Sequence, residues 1–217
     1  MNSYIAFFDV DHTILNSSSG RLLIRYNYQE GRISRKDLIL NMIIAHLCKK
    51  GVLNTDRIIE KWAMKYKGVD EKEILKLSMN WFDDILVNHI REEARKEIEY
   101  HKKNNGKTVL LSAALPYICN PISEHLEIDD VICTQMEIEN GKFSGRILGN
   151  ACYGIGKLHR AQEYCNSYTN KIDNAYYYAD SIADIYVLER VKNPVCVTPD
   201  KKLRRVAQER SWRICDW

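Results

Sequence analysis

Four segments of the chain carry side chains able to hold an anion or a metal. Asp9, Asp11 and Thr13 stand in the run Phe7-Phe8-Asp9-Val10-Asp11-His12-Thr13. Ser112 closes the run Thr108-Val109-Leu110-Leu111-Ser112. Lys157 follows Gly154-Ile155-Gly156, and Asp180 and Asp184 follow the apolar run Ala175 to Ala179. Brought together, these groups make an anion site rimmed by a cation, a hydroxyl and a carboxylate cluster. Clustered carboxylates resist ionising together unless a hard divalent cation neutralises them. Mg²⁺ suits such a cluster, because it takes a few carboxylates, retained waters and phosphate oxygens.

The elements that must position these residues follow from hydrophobic pattern. Tyr4 to Phe8, Thr108 to Ser112, Val131 to Thr134, Ala175 to Ala179 and Pro194 to Val197 read as short buried strands. Met136 to Ile147 reads as a hairpin turning on Asn140-Gly141. Helices are expected from Ser34 to Gly51, Thr55 to Tyr66, Asp70 to Leu86 and Ile90 to Lys103, the last with Glu92 and Lys96 at helical spacing. Three more are expected over Gly156 to Tyr168, Ile182 to Glu189 and Asp200 to Glu209. Strands alternating with helices imply a parallel α/β sheet covered on both faces, with ligands at the carboxyl ends of the strands. Leu38 to Leu47 is expected to be core within the helical stretch or its seam with the body; a lipid-tail or partner surface is the sharper reading. His12 is expected on the strand face opposite Asp9 and Asp11, as a packing residue. Tyr176-Tyr177-Tyr178 is read as buried strand.

With the four motifs in this order, the chain resembles the haloacid dehalogenase superfamily, and among its members the phosphoserine-phosphatase-like subfamily. FFDVDHT is similar to the first motif, LLSAAL to the second, GIGKLHR to the third and YADSIADI to the fourth. The resemblance implies a Rossmann-like parallel sheet over residues 1–16 and 86–217, with an inserted helical cap over 17–85. It implies Mg²⁺-dependent hydrolysis of a small phosphomonoester through an aspartyl-phosphate. Asp9 would be the nucleophile. Asp11 would protonate the leaving oxygen and then activate water. Ser112 and Lys157 would bind the phosphoryl oxygens, and Asp9, Asp11 (through its carbonyl) and Asp180 would bind Mg²⁺. Thr13 and Asp184 would support the site, and Arg21 would touch substrate.

The departures from the family pattern are specific. Ala179 precedes Asp180 where Gly is usual, and Ile185-Tyr186-Val187 follows Asp184 in place of x-Pro-Met. Phosphoserine-specific members place a Glu after the first motif for the substrate ammonium; this chain has Asn16-Ser17-Ser18-Ser19-Gly20-Arg21. Phosphotransfer to a second alcohol, a lysophospholipid-phosphate substrate and a non-catalytic binding module stay open as alternatives.

Composition narrows the rest. Of 217 residues, 45% are hydrophobic and 28% charged, enough apolar material for a folded domain. The net charge of +3 comes from mixed charges without a basic block, which gives no support to nucleic-acid binding. No apolar run is long enough to span a bilayer, and no secretory signal is read at the N-terminus. Seven cysteines without a C-x-x-C pair suggest reduced thiols and a cytoplasmic protein. The sequence carries no signal for oligomeric state.

Overall fold

The computed structural model describes residues 4–49, 53–168 and 172–217, so Gly51, expected just past the second helix, lies outside them. Its centre is a six-stranded parallel sheet in the order β3-β2-β1-β6-β7-β8. The strands are β1 (Tyr4–Phe8), β2 (Gly106–Ser112), β3 (Asp130–Cys133), β6 (Tyr176–Ala179), β7 (Asn193–Val197) and β8 (Arg213–Cys215). The hairpin of β4 (Met136–Glu139) and β5 (Lys142–Ile147) stands apart. Helices α1 (Ser19–Gln29), α2 (Arg35–Lys49), α3 (Thr55–Lys65) and α4 (Glu71–Asp84) lie between β1 and β2 in the chain. The others are α5 (Glu92–Lys103), α6 (Pro116–Leu126), α7 (Ile155–Ser167), α8 (Ile185–Leu188) and α9 (Lys201–Glu209).

The central strands are apolar on both sides because helices cover both faces. Ile5 and Phe7 enter one core with Val109, Leu111, Tyr177 and Ala179. Ala6 and Phe8 enter the other with Leu110, Ile122 and Tyr178. From β1 the chain builds outward through β2 and β3, then returns to the other side of β1 for β6, β7 and β8. The carboxyl ends of β1 and β6 therefore flank the topological switch point, where a crevice opens.

The helical insert leaves and re-enters the body side by side. Asn16 N–H donates to the His89 carbonyl at 2.9 Å, and Arg91 N–H to that of Ile14 at 2.9 Å. Helix α1 buries Leu22 and Tyr26, and α4 buries Trp81 and Phe82, in the core that holds Phe8. Helix α3 instead packs on the hairpin and α6, where Ala63, Tyr117, Met136 and Phe143 form a third apolar cluster. Main-chain bonds reinforce this dock: Gly68 N–H to Phe143 O at 2.8 Å and Phe143 N–H to Val69 O at 3.0 Å. Gly145 has φ +88°, and a Cβ there would stand 3.0 Å from Lys67 Cβ, so glycine permits the close approach.

Helix α2 corrects the reading of Leu38 to Leu47. Among the described residues none of this helix joins a buried cluster, and Ile39, Leu40 and Ile43 are about half exposed (52%, 56% and 51%). The apolar composition does not reflect burial, because α2 packs beside α1 without a second layer over it. Helix α6 carries two prolines. Pro116 sits at the helix start, where its missing N–H costs nothing, and Pro121 is tolerated inside. No described helix is long and apolar enough to cross a membrane.

A polar chain runs beneath the sheet. His101 is fully buried, with Nδ1 at 3.0 Å from Tyr4 Oη and Nε2 at 2.8 Å from Tyr178 Oη. Tyr178 in turn donates to Glu97 at 2.7 Å. Burial pulls the His101 pKa from 6.5 down to about 4, although Glu97 opposes the shift. Between those values the unfolded chain binds a proton that the folded one refuses, so stability falls as pH drops through that window. Thermal unfolding of the wild type and His101→Gln from pH 7 to 4 should show a steeper loss of Tm in the wild type; parallel slopes refute this account.

Candidate active site

Asp9 is the first residue past β1, and its N–H extends the ladder to the Tyr178 carbonyl at 2.9 Å. The chain then makes a wide turn over Val10–Ile14, closed by Leu15 N–H to Val10 O at 2.9 Å. His12 takes φ 57° within this turn. The strand alternation expected for His12 therefore does not apply, because the strand has ended at Phe8. Asp11 is held by the start of α1: Ser19 N–H donates to Oδ1 at 2.8 Å and Ser18 Oγ to Oδ2 at 3.1 Å. A negative side chain at a helix N-terminus also meets the positive end of the helix dipole.

Lys157 enters from α7. Gly154 turns the chain with φ 52°, and a Cβ on Gly156 would lie 2.5 Å from the Ala151 carbonyl oxygen. Only glycine lets the helix start so close to that backbone. The Lys157 ammonium is buried and donates to Asp9 Oδ1 at 2.7 Å, Asp184 Oδ1 at 2.7 Å and Tyr177 Oη at 3.0 Å. Tyr177 Oη also donates to Asp184 Oδ1 at 2.8 Å. An ammonium has three protons, so every donor on Lys157 is used.

Burial disfavours the Lys157 charge, but Asp184 and Asp9 outweigh it and hold the amine well above its ordinary range. Burial raises the Asp9 carboxyl to about 7, with Lys157 pulling it down and Asp184 pushing it up. Carboxylate oxygens of Asp9, Asp180 and Asp184 lie within 4.8 Å of one another, and all three residues are buried. Three carboxylates face one ammonium, and their hard oxygen donors fit a divalent cation such as Mg²⁺. Asp184 lies in the acidic triad with Asp9 and Asp180, while the Asp11 carboxylate, expected to act as the acid with only its carbonyl on the metal, is tied to Ser18 and Ser19.

Ser112 ends β2 at the same sheet edge, buried, its Oγ accepting from Ala114 N–H at 3.2 Å. Thr13 is fully buried, and its hydroxyl has no hydrogen-bond partner among the described residues. Arg21 is exposed on the first turn of α1. Sequence reading missed Tyr177, Ser18 and Ser19. The Tyr177 signal was strand parity: it faces the core shared with Ala161 and Cys165 of α7, the helix that carries Lys157.

A crevice of this kind, at the switch point of a doubly wound sheet and lined by paired carboxylates and a buried lysine, is that of a hydrolytic enzyme acting on phosphate esters. A family profile described as haloacid dehalogenase-like hydrolase matches residues 6–189, and the chain belongs to that family. It is a phosphatase with the phosphoserine-phosphatase-like fold. Phosphoserine phosphatase SerB1 of Mycobacterium tuberculosis is 29% identical to it, over 98% of this chain and 70% of that protein. A histidinol-phosphatase of Neisseria meningitidis is 22% identical over 98% of both. Among solved structures, a Bordetella pertussis protein of unknown function superposes with TM-score 0.91 at 23% identity, covering 100% of this chain and 99% of that one. A phospho-aspartyl intermediate analogue of phosphoserine phosphatase gives 0.68 at 16% identity, covering 99% and 93%.

The bonds of Tyr177 lead to a test. Tyr177→Phe strips one acceptor from the Lys157 ammonium and one donor from Asp184, both buried. An unmet buried polar group costs about 1–3 kcal/mol, so kcat on p-nitrophenyl phosphate should fall about tenfold or more with the fold retained. Unchanged kcat would show the hydroxyl to be passive.

Proposed function

We propose that the protein hydrolyses small phosphomonoesters in the cytoplasm, with Mg²⁺, through an aspartyl-phosphate on Asp9. The observation that carries this reading is the buried Lys157 bonded to both Asp9 and Asp184 beside Asp180. Asp9, Asp180 and the Asp11 carbonyl would hold Mg²⁺. When bound, the ion supplies the positive charge that lets a phosphate dianion approach carboxylates. Residues 17–85 serve as a cap over a core of residues 1–16 and 86–217.

Phosphate-monoester hydrolysis is among the slowest uncatalysed reactions, so splitting it into two displacements is a large gain. The Asp9 carboxylate attacks phosphorus, a bond from its oxygen to phosphorus forms, and the bond to the leaving alcohol breaks. Asp11 gives that alcohol its proton. Asp11 then takes a proton from water as the water oxygen attacks phosphorus, which frees Asp9 and inorganic phosphate. The bonds to Asp11 suit a group that changes protonation: the Ser18 hydroxyl donates to a carboxylate and turns to accept from a carboxylic acid. Lys157 exchanges its bond to Asp9 for a phosphoryl oxygen while Asp184 and Tyr177 keep hold of it. Ser112 donates to another phosphoryl oxygen.

Asp9→Asn should abolish phosphate release by several orders of magnitude while leaving the fold intact, because an amide is a poor nucleophile towards phosphorus. EDTA should silence the wild type and Mg²⁺ restore it. Near-wild-type release from Asp9→Asn, or full activity in EDTA, would refute the mechanism.

Substrate choice follows from what stands beside the first motif. Phosphoserine brings an ammonium and a carboxylate, and an unpaired buried charge costs several kcal/mol. No acidic residue occurs from Ile14 to Gln29, where the chain offers serines, Arg21 and Arg25. Glu60 and Asp83, two acidic residues of the insert, are exposed. Phosphoserine should therefore trail phosphomonoesters without an ammonium by at least about tenfold in kcat/KM, since about 1.4 kcal/mol of lost pairing suffices. Side-by-side kinetics decide it, and phosphoserine as the best substrate would overturn the reading.

A further inference from the structure

Helices α1 and α2 enclose an open groove of about 620 Å³ that none of the chemistry above uses. One wall is α2, where Leu38, Met42, Ile43 and Leu47 recur at helical spacing and form an apolar stripe. Between Leu38 and Leu47 that stripe runs along about 14 Å of helix. The other wall is α1, which presents Arg21 and Arg25, one turn apart, and no carboxylate among the described residues lines the groove. Leu22 and Tyr26 of α1, each next in sequence to one of these arginines, are anchored in the body core, so this wall is fixed. The groove begins on the first turn of α1, the same turn whose Ser19 N–H bonds Asp11.

These features ask for a ligand with a negative head and an apolar tail. Two guanidiniums without a counter-charge favour an anion, and guanidinium geometry suits phosphate and carboxylate oxygens. Ile39 and Ile43 are 52% and 51% exposed, and covering them gains hydrophobic free energy. Arg21 stands two residues past Ser19, whose N–H bonds Asp11, so the end of the groove that carries Arg21 is the end towards the phosphatase site. We propose that this groove binds the alkyl chain of an anionic amphiphile, so that the substrate class is a phosphomonoester carrying a single aliphatic chain. The proposal rests on the phosphatase reading of the site. Arg21 and Arg25 serve the head, and the α2 stripe serves the tail.

The test separates binding from turnover. Calorimetry with ethyl-, hexyl- and decylphosphonate, which are not hydrolysed, is run in Mg²⁺ below the concentration at which they form micelles. Turnover of p-nitrophenyl phosphate is measured separately, so that failure of the phosphatase reading shows there and failure of the groove shows in the affinities. Complete burial of a methylene is worth about fourfold, and an open groove covers about half of it, so affinity should rise about twofold per methylene. Ile43→Asp, at an exposed position that leaves the fold intact, should flatten that slope. Arg25→Gln should weaken all three ligands alike. Affinities independent of chain length would overturn the proposal. So would a slope that survives Ile43→Asp, because the chain would then bind elsewhere. If Ile43→Asp instead converts a dimer to a monomer with the slope unchanged, the stripe belongs to a second copy of this chain.

Discussion

A lysine ammonium enclosed by protein is stable only where its charge and all three protons are met. Lys157 meets that condition through residues from three separate segments: Asp9 after β1, Tyr177 within β6, and Asp184 in the turn that follows. Their convergence requires β1 and β6 to be neighbours, as the pairing of Phe8 with Tyr178 makes them. It also requires α7 to start against the Ala151 backbone, which Gly156 allows. The switch-point topology and the site thus depend on one another. A sheet with β1 and β6 apart would leave an unpaired charge under α7, a cost of several kcal/mol against a total stability of about 5–15.

The same arrangement is deliberately out of balance. Asp9, Asp180 and Asp184 bring three carboxyl groups to one ammonium, and burial, with Asp184 adding to it, lifts Asp9 to about 7 against the pull of Lys157. A core built for stability alone would bury fewer carboxylates. Local rules broken in this way, at a strand end and beside a satisfied cation, mark a site that a ligand is meant to complete.

Much of this was legible in sequence, and the reasons are physical. Short apolar runs that stop at Asp9, Ser112 and Asp180 announce buried strands and place those residues at one sheet edge. Asn140-Gly141 fixes the hairpin turn, since both residues take positive φ. Three kinds of information were hidden. β8 is only Arg213–Cys215, too short for a pattern. Tyr177 reads as one more core aromatic until the fold shows which face α7 covers. His12 was assigned by strand alternation, which ends with the strand. Helix α2 shows the opposite error: apolar residues at helical spacing promise burial, but burial needs a partner layer, and sequence does not reveal whether one exists.

The insert divides its attachments unevenly, and that division separates recognition from chemistry. Helices α1 and α4 are pinned to the body core and α3 to the hairpin, whereas no described residue of α2 joins a buried cluster. Residues on α2 can therefore change with little consequence for the Lys157 network, because well-separated sites contribute nearly independently. Relatives on this scaffold bear the names of different phosphate esters, phosphoserine and histidinol phosphate. On the reading proposed above, the phosphoryl group meets the Lys157 network and the rest of the substrate meets α2, so substitutions that alter recognition leave the reacting groups undisturbed.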